Sequence, residues 1–437
     1  MRVLISAYAF SPYRGSECAV GWNIVTRMAK YHDVTVLCGD VSGELLTKKD
    51  LAKYFSEISA IEKLTINYVE PSRFIQWIER IHRIPGLWCF YYLAYNLWQR
   101  KAFKIAKQLH AKNSFDLVHQ LNMIGYREPG YLWKLGIPFV WGPVGGASNE
   151  SWAFRSLFSW SGSIKVFLRT MLNEFQKRIS FRSKKAARST IKLWAVTDAD
   201  MKMIGKIWGV NVEQMIETGT ITREASCPRT WCGDSPLRIV WSGIHTSRKA
   251  LPILLYAICA PDVRLRVHVD ILGIGHETRV WKNLADKLGL SGCLTWHGQL
   301  PHQRALEIMK SAHVLAFPSL KEGTPHVVLE ALSMGLPVVC HDACGMGVVV
   351  DESCGAKIRL KECETSIAGM QAVIRQILAT PSWIVVRSQG ALRRAQELSW
   401  DNKVETIALA YERIINDIND RDSSSSCHEY KTGDLYE

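Results

Sequence analysis

Short apolar runs rich in β-branched residues alternate with amphipathic stretches along almost the whole chain, and the alternation runs through twice. The first series predicts strands at Arg2–Ala7, Asp33–Cys38, Leu64–Val69, Asp116–Gln120, Pro138–Trp141 and Leu193–Thr197. A Pro- and Cys-containing stretch, Ala225–Pro236, interrupts it. The second predicts strands at Leu237–Trp241, Leu265–Leu272, Leu294–His297, Val314–Pro318 and Pro337–Cys340. Helical patterns such as Val20–Tyr31 and Trp281–Leu288 lie between them. Strand–helix–strand order of this kind builds parallel sheets covered on both faces. The expectation is an α/β chain of two Rossmann-like domains facing a central cleft, 1–225 and 236–395. Residues 396–418 are expected to be a helix packing back on the first domain. A serine run in 419–437 predicts a disordered tail. The length of 437 residues suits two such units.

Composition narrows the class further. Hydrophobic content of 47% beside 22% charge excludes wholesale disorder. No apolar run reaches the roughly 20 residues of a spanning helix; the nearest, Leu87–Trp98, is too short. The opening MRVLISAYAF reads as a first strand and not as a signal peptide, which places the protein in the cytoplasm. Twelve Cys are scattered singly without a CxxC pair or zinc spacing, so reduced, mostly buried thiols are expected. A net charge of +13 calls for an acidic partner: nucleic acid, anionic lipid or a phosphorylated substrate.

Ligands in parallel α/β sheets bind beyond the carboxyl ends of the strands, so the loops there carry the candidates. The stretch AHVLAFPSLKEGTPHVVLEALSMGLPVVC, residues 312–340, predicts a strand, a loop, and a helix with Thr324 as N-cap and Pro325 at its first position. Gly335 ends the helix. A helix start offers unpaired N–H groups and a positive dipole end to a diphosphate, and Gly323 has no Cβ to block the approach. Glu330, about two turns into the helix, can accept from ribose hydroxyls, and Glu322 in the loop can face a sugar ring. Taken singly, Thr324 as a plain cap and Glu322 as a solvated loop residue are the commoner readings.

Together these residues resemble a family. An E-x7-E pattern between a strand ending in Pro-Ser and a helix of the type VVLEAL-x-x-GLPVV resembles glycosyltransferase family 4, of GT-B fold, in its exopolysaccharide or capsule branch. The resemblance implies that Glu322 contacts the transferred sugar, Glu330 holds the ribose, and Gly323 and Thr324 meet the phosphates. In WSGIHTSRKALPILLYAI it gives Lys249 to the departing diphosphate, where a fixed cation lowers the barrier. The family's Arg directly after the Gly is here Ile244, and Arg248 is the candidate substitute. ILGIGHETRVWKNLADKLGL resembles the family's strand–GxG–helix segment and adds Gly273 to the donor positions, although a turn alone also explains a lone GxG.

The first domain resembles the same branch in SAYAFSPYRGSECAVGWNIVTRMA, which puts Gly15 and Ser16 on the loop that reaches toward the donor phosphates. Ser16 stands where the family has a second Gly. Glu17 is either an acceptor-side residue or, the preferred reading, an ordinary helix-start carboxylate. His119 ends a strand and is a candidate contact to sugar or acceptor. A second His common two residues later is Leu121 here.

The resemblance implies retention at the anomeric carbon by front-face attack, with the nucleotide-diphosphate sugar as donor substrate, no other cofactor and no metal. The DxD at Asp198–Asp200 lies in the wrong domain for a metal–nucleotide site and reads as coincidence. Between Arg155 and Arg188 nine Lys or Arg accompany one acidic residue, Glu174, with Phe154, Phe158, Trp160, Phe167, Phe175 and Phe181 interleaved. Residues 73–84 form a second basic, aromatic segment. Such surfaces suit an anionic membrane. They also suit single-stranded nucleic acid, but no nucleic-acid module is visible. A third reading makes the aromatics core and the cations solvated. On the membrane reading the acceptor is a glycan or a polyprenyl-diphosphate-linked sugar. Two rivals stand beside the transferase: a non-catalytic, membrane-associated assembly protein with a degenerate donor site, and a GT-B sugar-nucleotide epimerase.

Overall fold

The computed structural model describes residues 1–40, 47–81, 84, 87, 89–157, 160–221 and 227–429. Parts of the 73–84 segment, of the 225–236 stretch and of the basic arm, and the last eight residues of the tail, lie outside them.

The first sheet has seven parallel strands in the order β3-β2-β1-β4-β5-β6-β7. They are β1 (Arg2–Ala7), β2 (Asp33–Gly39), β3 (Leu64–Val69), β4 (Leu117–Asn122), β5 (Phe139–Val144), β6 (Lys192–Ala195) and β7 (Glu213–Gln214). The second has six parallel strands in the order β10-β9-β8-β11-β12-β13. These are β8 (Leu237–Ser242), β9 (Val267–Leu272), β10 (Leu294–Gly298), β11 (Val314–Phe317), β12 (Val338–His341) and β13 (Gly355–Ile358). Every residue of β4, β5, β11 and β12 is buried, and β5, β11 and most of β12 accordingly read as near-continuous apolar runs, whereas β4 buries His119, Gln120 and Asn122. The α/β fold with two Rossmann-like domains therefore stands as read. β7 and β13 escaped the reading: one is an exposed Glu-Gln pair, and the other, Gly-Ala-Lys-Ile, has little apolar pattern.

In each sheet the strand order reverses between two neighbours, β1 and β4 in the first and β8 and β11 in the second. Helices leave such a pair in opposite directions, so a crevice opens beyond its carboxyl end. The loops at these points are 8–16 and 123–125 in the first domain, and 243–250 and 318–325 in the second.

The closing helix runs Trp400–Glu429. Trp400, Val404, Ile407 and Tyr411, at helical spacing, are buried with Val20, Ile24 and Met28 of the helix Glu17–Met28 in one core. The chain thus crosses between the domains twice, and the crossings are tied together. Thr220 N–H donates to Leu398 O at 3.0 Å and Trp400 N–H to Thr220 O at 3.1 Å. Lys403 Nζ donates to Ile216 O at 2.6 Å. The expected disordered tail is corrected in part: residues 420–429 continue the helix. No Gly or Pro interrupts 401–429, and extending a formed helix needs no new nucleus. No described helix is long and apolar enough to cross a membrane.

Candidate active site

The two reversal points face one cavity of about 420 Å³. Ser16, Glu17 and Ile124 reach it from the first domain, and Gly243, Ile244, Arg248, Lys249 and Glu322–Val327 from the second; Glu217 lies between.

On the second-domain side the geometry is built around Glu322. A short turn after β8 ends in Ala250 at φ +48°, from which the helix Leu251–Ile258 departs. Lys249 Nζ lies 2.7 Å from Glu322 Oε1, with both side chains 11% exposed. It also lies 4.8 Å from the centre of the Phe317 ring, which favours a cation. Burial lowers the Lys249 pKa, and Glu322 opposes the shift. Arg248 Nη1 donates to Lys321 O at 3.1 Å and lies 3.4 Å from the same carboxylate oxygen. Ser319 Oγ donates to it at 2.7 Å. Two cations share one carboxylate, so the cluster keeps an excess positive charge to offer a phosphate. Ile244 is 63% exposed at the cavity that Arg248 also lines.

Thr324 departs from its expected place. The helix is His326–Ser333 with Pro325 at the cap position, and no side chain caps it. Thr324 sits one residue too early. Its N–H donates to Glu217 Oε1 at 2.6 Å and its hydroxyl to Oε2 at 2.5 Å. A Cβ on Gly323 would stand 2.4 Å from Glu217 Oε1, so the glycine is what admits this carboxylate. A side-chain anion therefore holds the groups assigned by resemblance to the phosphates. Glu330 is the fifth residue of the helix, hence one turn in and not two. It lines a smaller neighbouring cavity of about 150 Å³, 3.5 Å from His302 Nε2. His326 lines both cavities.

Three assignments are corrected. His119 is fully buried, away from the cavity: Nε2 donates to Gly142 O at 2.7 Å and Nδ1 accepts from Tyr411 at 2.5 Å. Burial pushes its pKa to about 4, so it is a neutral clasp between β4 and the closing helix. Gly273 does not line the cavity. It lies at φ +108°, where a Cβ would meet Gly243 O at 2.1 Å, so it serves the close passage of two loops. Gly15 likewise stays off the cavity wall, whereas Ser16 lies on it at φ +54°, a backbone region suited to the family's glycine. The DxD aspartates are occupied locally. Asp200 forms a capping box with Thr197 and accepts from Ala147 N–H at 2.7 Å, while Asp198 accepts from Gln214 at 3.0 Å.

Sequence reasoning passed over Glu217, which gave no signal inside IETGT, and set Glu17 aside as a helix-start charge. Glu17 Oε1 accepts from Ile124 N–H at 3.2 Å. Asn122 supports that wall by donating to Ala9 O and Glu17 O at 2.9 and 3.1 Å.

Residues 239–379 match the model of the family described as glycosyl transferases group 1. This segment is similar to a group 1 glycosyltransferase domain. It holds Lys249, Glu322 and Glu330 but neither Glu17 nor Glu217. An O-antigen chain mannosyltransferase B from Escherichia coli is 26% identical over 178 residues, 40% of this chain and 45% of that relative. A D-inositol 3-phosphate glycosyltransferase from Mycobacterium bovis is 30% identical over 137 residues, 31% of this chain and 28% of that relative. The matches thus span less than half of these curated relatives. Solved structures extend the likeness in fold across both domains. The apo lipopolysaccharide outer core galactosyltransferase WaaB aligns at TM-score 0.62 and 12% identity, covering 94% of this chain and all of the other. Sucrose-phosphate synthase from Thermosynechococcus elongatus aligns at 0.60 and 16%, covering 95% and 99%. The fold is GT-B, with the matched segment in its second half.

Outside the cleft, the helix Trp160–Ile179 of the first domain carries a bare apolar stripe. Phe167, Leu168, Met171, Leu172 and Phe175 are 48% to 60% exposed. Phe74 and Trp77, stacked at 6.2 Å on the helix Arg73–Ile81, are exposed as well. Phe154, expected among these aromatics, is instead fully buried in the core of the second domain.

Proposed function

We propose that this protein is a retaining, metal-independent hexosyltransferase that moves a sugar from a nucleotide-diphosphate donor to a glycan or lipid-linked acceptor in surface polysaccharide synthesis. The observation that carries the reading is the Lys249–Glu322–Arg248 cluster at the reversal point of the second domain, facing the first domain across a cavity. Lys249 and Arg248 stabilise the charge that develops on the departing diphosphate. Glu322, held by Lys249 and Ser319, orients the transferred sugar, and Glu330 beside the second cavity takes the ribose. Donor entry displaces Glu217 from Thr324. The acceptor hydroxyl attacks on the face from which the diphosphate leaves, and the diphosphate helps to polarise it.

The acceptor side includes a membrane. The bare stripe on Trp160–Ile179 is flanked by Lys165, Arg169 and Arg178, an arrangement that suits the interface of an anionic bilayer and a polyprenyl-diphosphate-linked acceptor. The protein then works from the cytoplasmic face. The relatives named for O-antigen and outer-core transfer fit this setting.

The test is a thermal-shift screen of the purified protein against nucleotide sugars, with Lys249→Ala and Glu330→Ala beside it. Ligand binding to the native state alone raises the midpoint. One nucleotide sugar should raise it, and both substitutions should abolish the rise. No shift with any nucleotide sugar, from a folded sample, sinks the transferase reading and favours the non-catalytic rival. Sedimentation with anionic against zwitterionic vesicles tests the membrane arm, and Phe167→Ser with Leu168→Ser should release the protein.

A further inference from the structure

The first domain holds a second cavity, of about 540 Å³, that the donor chemistry does not use. One wall is apolar. Leu172 of the bare stripe lines it, with Ile179 one more turn of the stripe along the same helix and Tyr92 opposite, all three well exposed. The other wall is polar, with Arg127, Asn173 and Gln176 on it and Arg169 at the rim. An apolar wall that runs out into a bare stripe, facing a cationic wall, is the shape of a seat for an amphiphile with an anionic head.

Arg127 is fixed in this wall. Its Nε donates to Gln176 Oε1 at 2.5 Å, its Nη2 donates to Asn173 Oδ1, and its guanidinium lies 4.3 Å from the centre of the Tyr126 ring. Asn173 is buried and braced in turn: it accepts from Tyr126 OH at 2.9 Å and donates to Ala147 O at 3.2 Å. Arg127 Nη1 has no hydrogen-bond partner, and Arg127 no ion pair, among the described residues. The neighbouring carboxylates are taken. Glu128 accepts from Arg182 at 2.8 Å, Glu174 pairs with Lys177 and Arg178, and Glu150 lies 3.8 Å from Arg169.

A third cation comes from the second domain. Lys321 precedes Glu322 in the donor loop and forms no ion pair among the described residues. Burial lowers its pKa, and the charges of Arg169 and Arg127 lower it further, against Glu150. Three cations from two domains therefore crowd one place, at a cost that an anion bridging them would relieve. A held guanidinium with a spare donor suits phosphate oxygens in particular. Arg127 and Lys321 are half-buried at the domain boundary, which suits one headgroup better than a flat bilayer surface.

We propose that this cavity seats the diphosphate of a lipid-linked acceptor, with Arg127, Arg169 and Lys321 on its oxygens and the lipid chain leaving past Leu172 along the bare stripe. The inference rests on reading the protein as a transferase with a lipid-linked acceptor, and it gives the charge of that acceptor a place that the stripe alone does not. The glycan end then runs past Lys321 toward Glu322, where the transferred sugar lies. One headgroup touches both domains, so acceptor and donor loop are brought into register by the same contact.

The test is titration calorimetry on the full chain with geranylgeranyl diphosphate below its micelle threshold. A saturating nucleoside diphosphate, whichever shifts the wild type, keeps the donor cations occupied. Geranylgeraniol, inorganic diphosphate and phosphatidylglycerol vesicles are titrated beside it. The wild type should bind geranylgeranyl diphosphate at least tenfold more tightly than either the alcohol or inorganic diphosphate. Arg127→Gln and Lys321→Gln should each weaken it roughly 10-fold or more and leave the nucleotide shift unchanged. Arg127→Lys, which keeps the charge and loses the fork, should fall between. No binding of geranylgeranyl diphosphate by the wild type, or equal binding by wild type and both Gln variants, overturns the site. The alcohol binding as tightly as its diphosphate reduces it to an apolar groove, and inorganic diphosphate binding as tightly makes the ligand a free anion; either sinks the proposal. Vesicle binding that falls in step with lipid diphosphate binding gives the cations to the bilayer surface and sinks it too. Should Arg127→Gln fail to fold, Lys321→Gln in the other domain decides the same point. A wild type that binds no nucleoside diphosphate fails elsewhere, at the transferase reading, and the lipid titration on Lys249→Ala, with its donor seat broken, still judges the cavity.

Discussion

At the reversal point of the second domain, charge is paired before any ligand arrives: Glu322 accepts from Ser319 and Lys249, with Arg248 close by. At the reversal point of the first domain, one oxygen of Glu17 is held by a backbone N–H and the other, buried, has no partner among the described residues. The two sides meet one cavity and bear different loads. A diphosphate brings a large charge that must be met by fixed cations, and fixed cations need a carboxylate to hold them in place. An acceptor hydroxyl, on the proposed reading, brings no charge and asks for no fixed cation. Glu217 couples the sides, reaching from the segment after β7 to the Thr324 N–H and hydroxyl.

The sharpest way to break this comparison is to remove a cation. Lys249→Ala should lower kcat/KM by about 10²–10³, by analogy with loss of a single charge-stabilising group, and Glu322→Ala in that background should cost far less than it does alone. Steady-state kinetics on the double-mutant cycle checks both, and strict additivity would show that the two do not act as one unit. Next is the clasp outside the cleft. Tyr411→Phe leaves the buried Nδ1 of His119 without its donor and should cost about 1–3 kcal/mol of stability. Chemical denaturation measures the loss, while activity per folded molecule stays unchanged; a fallen kcat would return His119 to the site.

Acid should act unevenly on the two domains. Burial pushes His119, His245, His313 and His341 to about 4. In the unfolded chain histidine titrates near ~6.5, so between the two values the unfolded state binds protons that the folded state refuses. Stability is therefore lost as pH falls from about 6.5 toward about 4. Three of the four lie in the second domain, whose calorimetric transition should move further; equal shifts would contradict this. Glu217→Gln is a smaller lever. With its charge gone the residue competes less with an incoming phosphate, and UDP should bind roughly three- to tenfold tighter by titration calorimetry. Weaker binding would make Glu217 part of the donor seat. Smallest of all, Asp198→Asn should change stability by no more than about 0.5 kcal/mol and leave turnover alone, since among the described residues its carboxylate accepts from Gln214 at the protein surface.

Much of the frame was legible because a parallel strand buried on both faces writes itself as an unbroken apolar run, as in Val314–Phe317. The meeting of Lys249 with Glu322 was legible because both sit in loops that follow such strands directly. Residues whose partners are distant in the chain were not. His119 looked like a strand-end candidate because its partner Tyr411 lies 292 positions away. Thr324 looked like a cap because Glu217, its true partner, is 107 positions earlier. Glu17 does open its helix, as read, and only the folded chain shows that its carboxylate is also held by the distant Ile124 N–H.

The closing helix sets a timetable for synthesis. Trp400, Val404, Ile407 and Tyr411 complete the core around β1 and β2, so the domain made first by the ribosome is finished last. Some 185 residues of the second domain must emerge between Met215 and Trp400, which takes roughly 10–40 s at ordinary elongation rates. Throughout that interval the nascent first domain exposes the groove that Trp400 will fill. A polypeptide that stalls before it has both domains and neither a finished hinge nor a finished core, and it is a natural client for a chaperone.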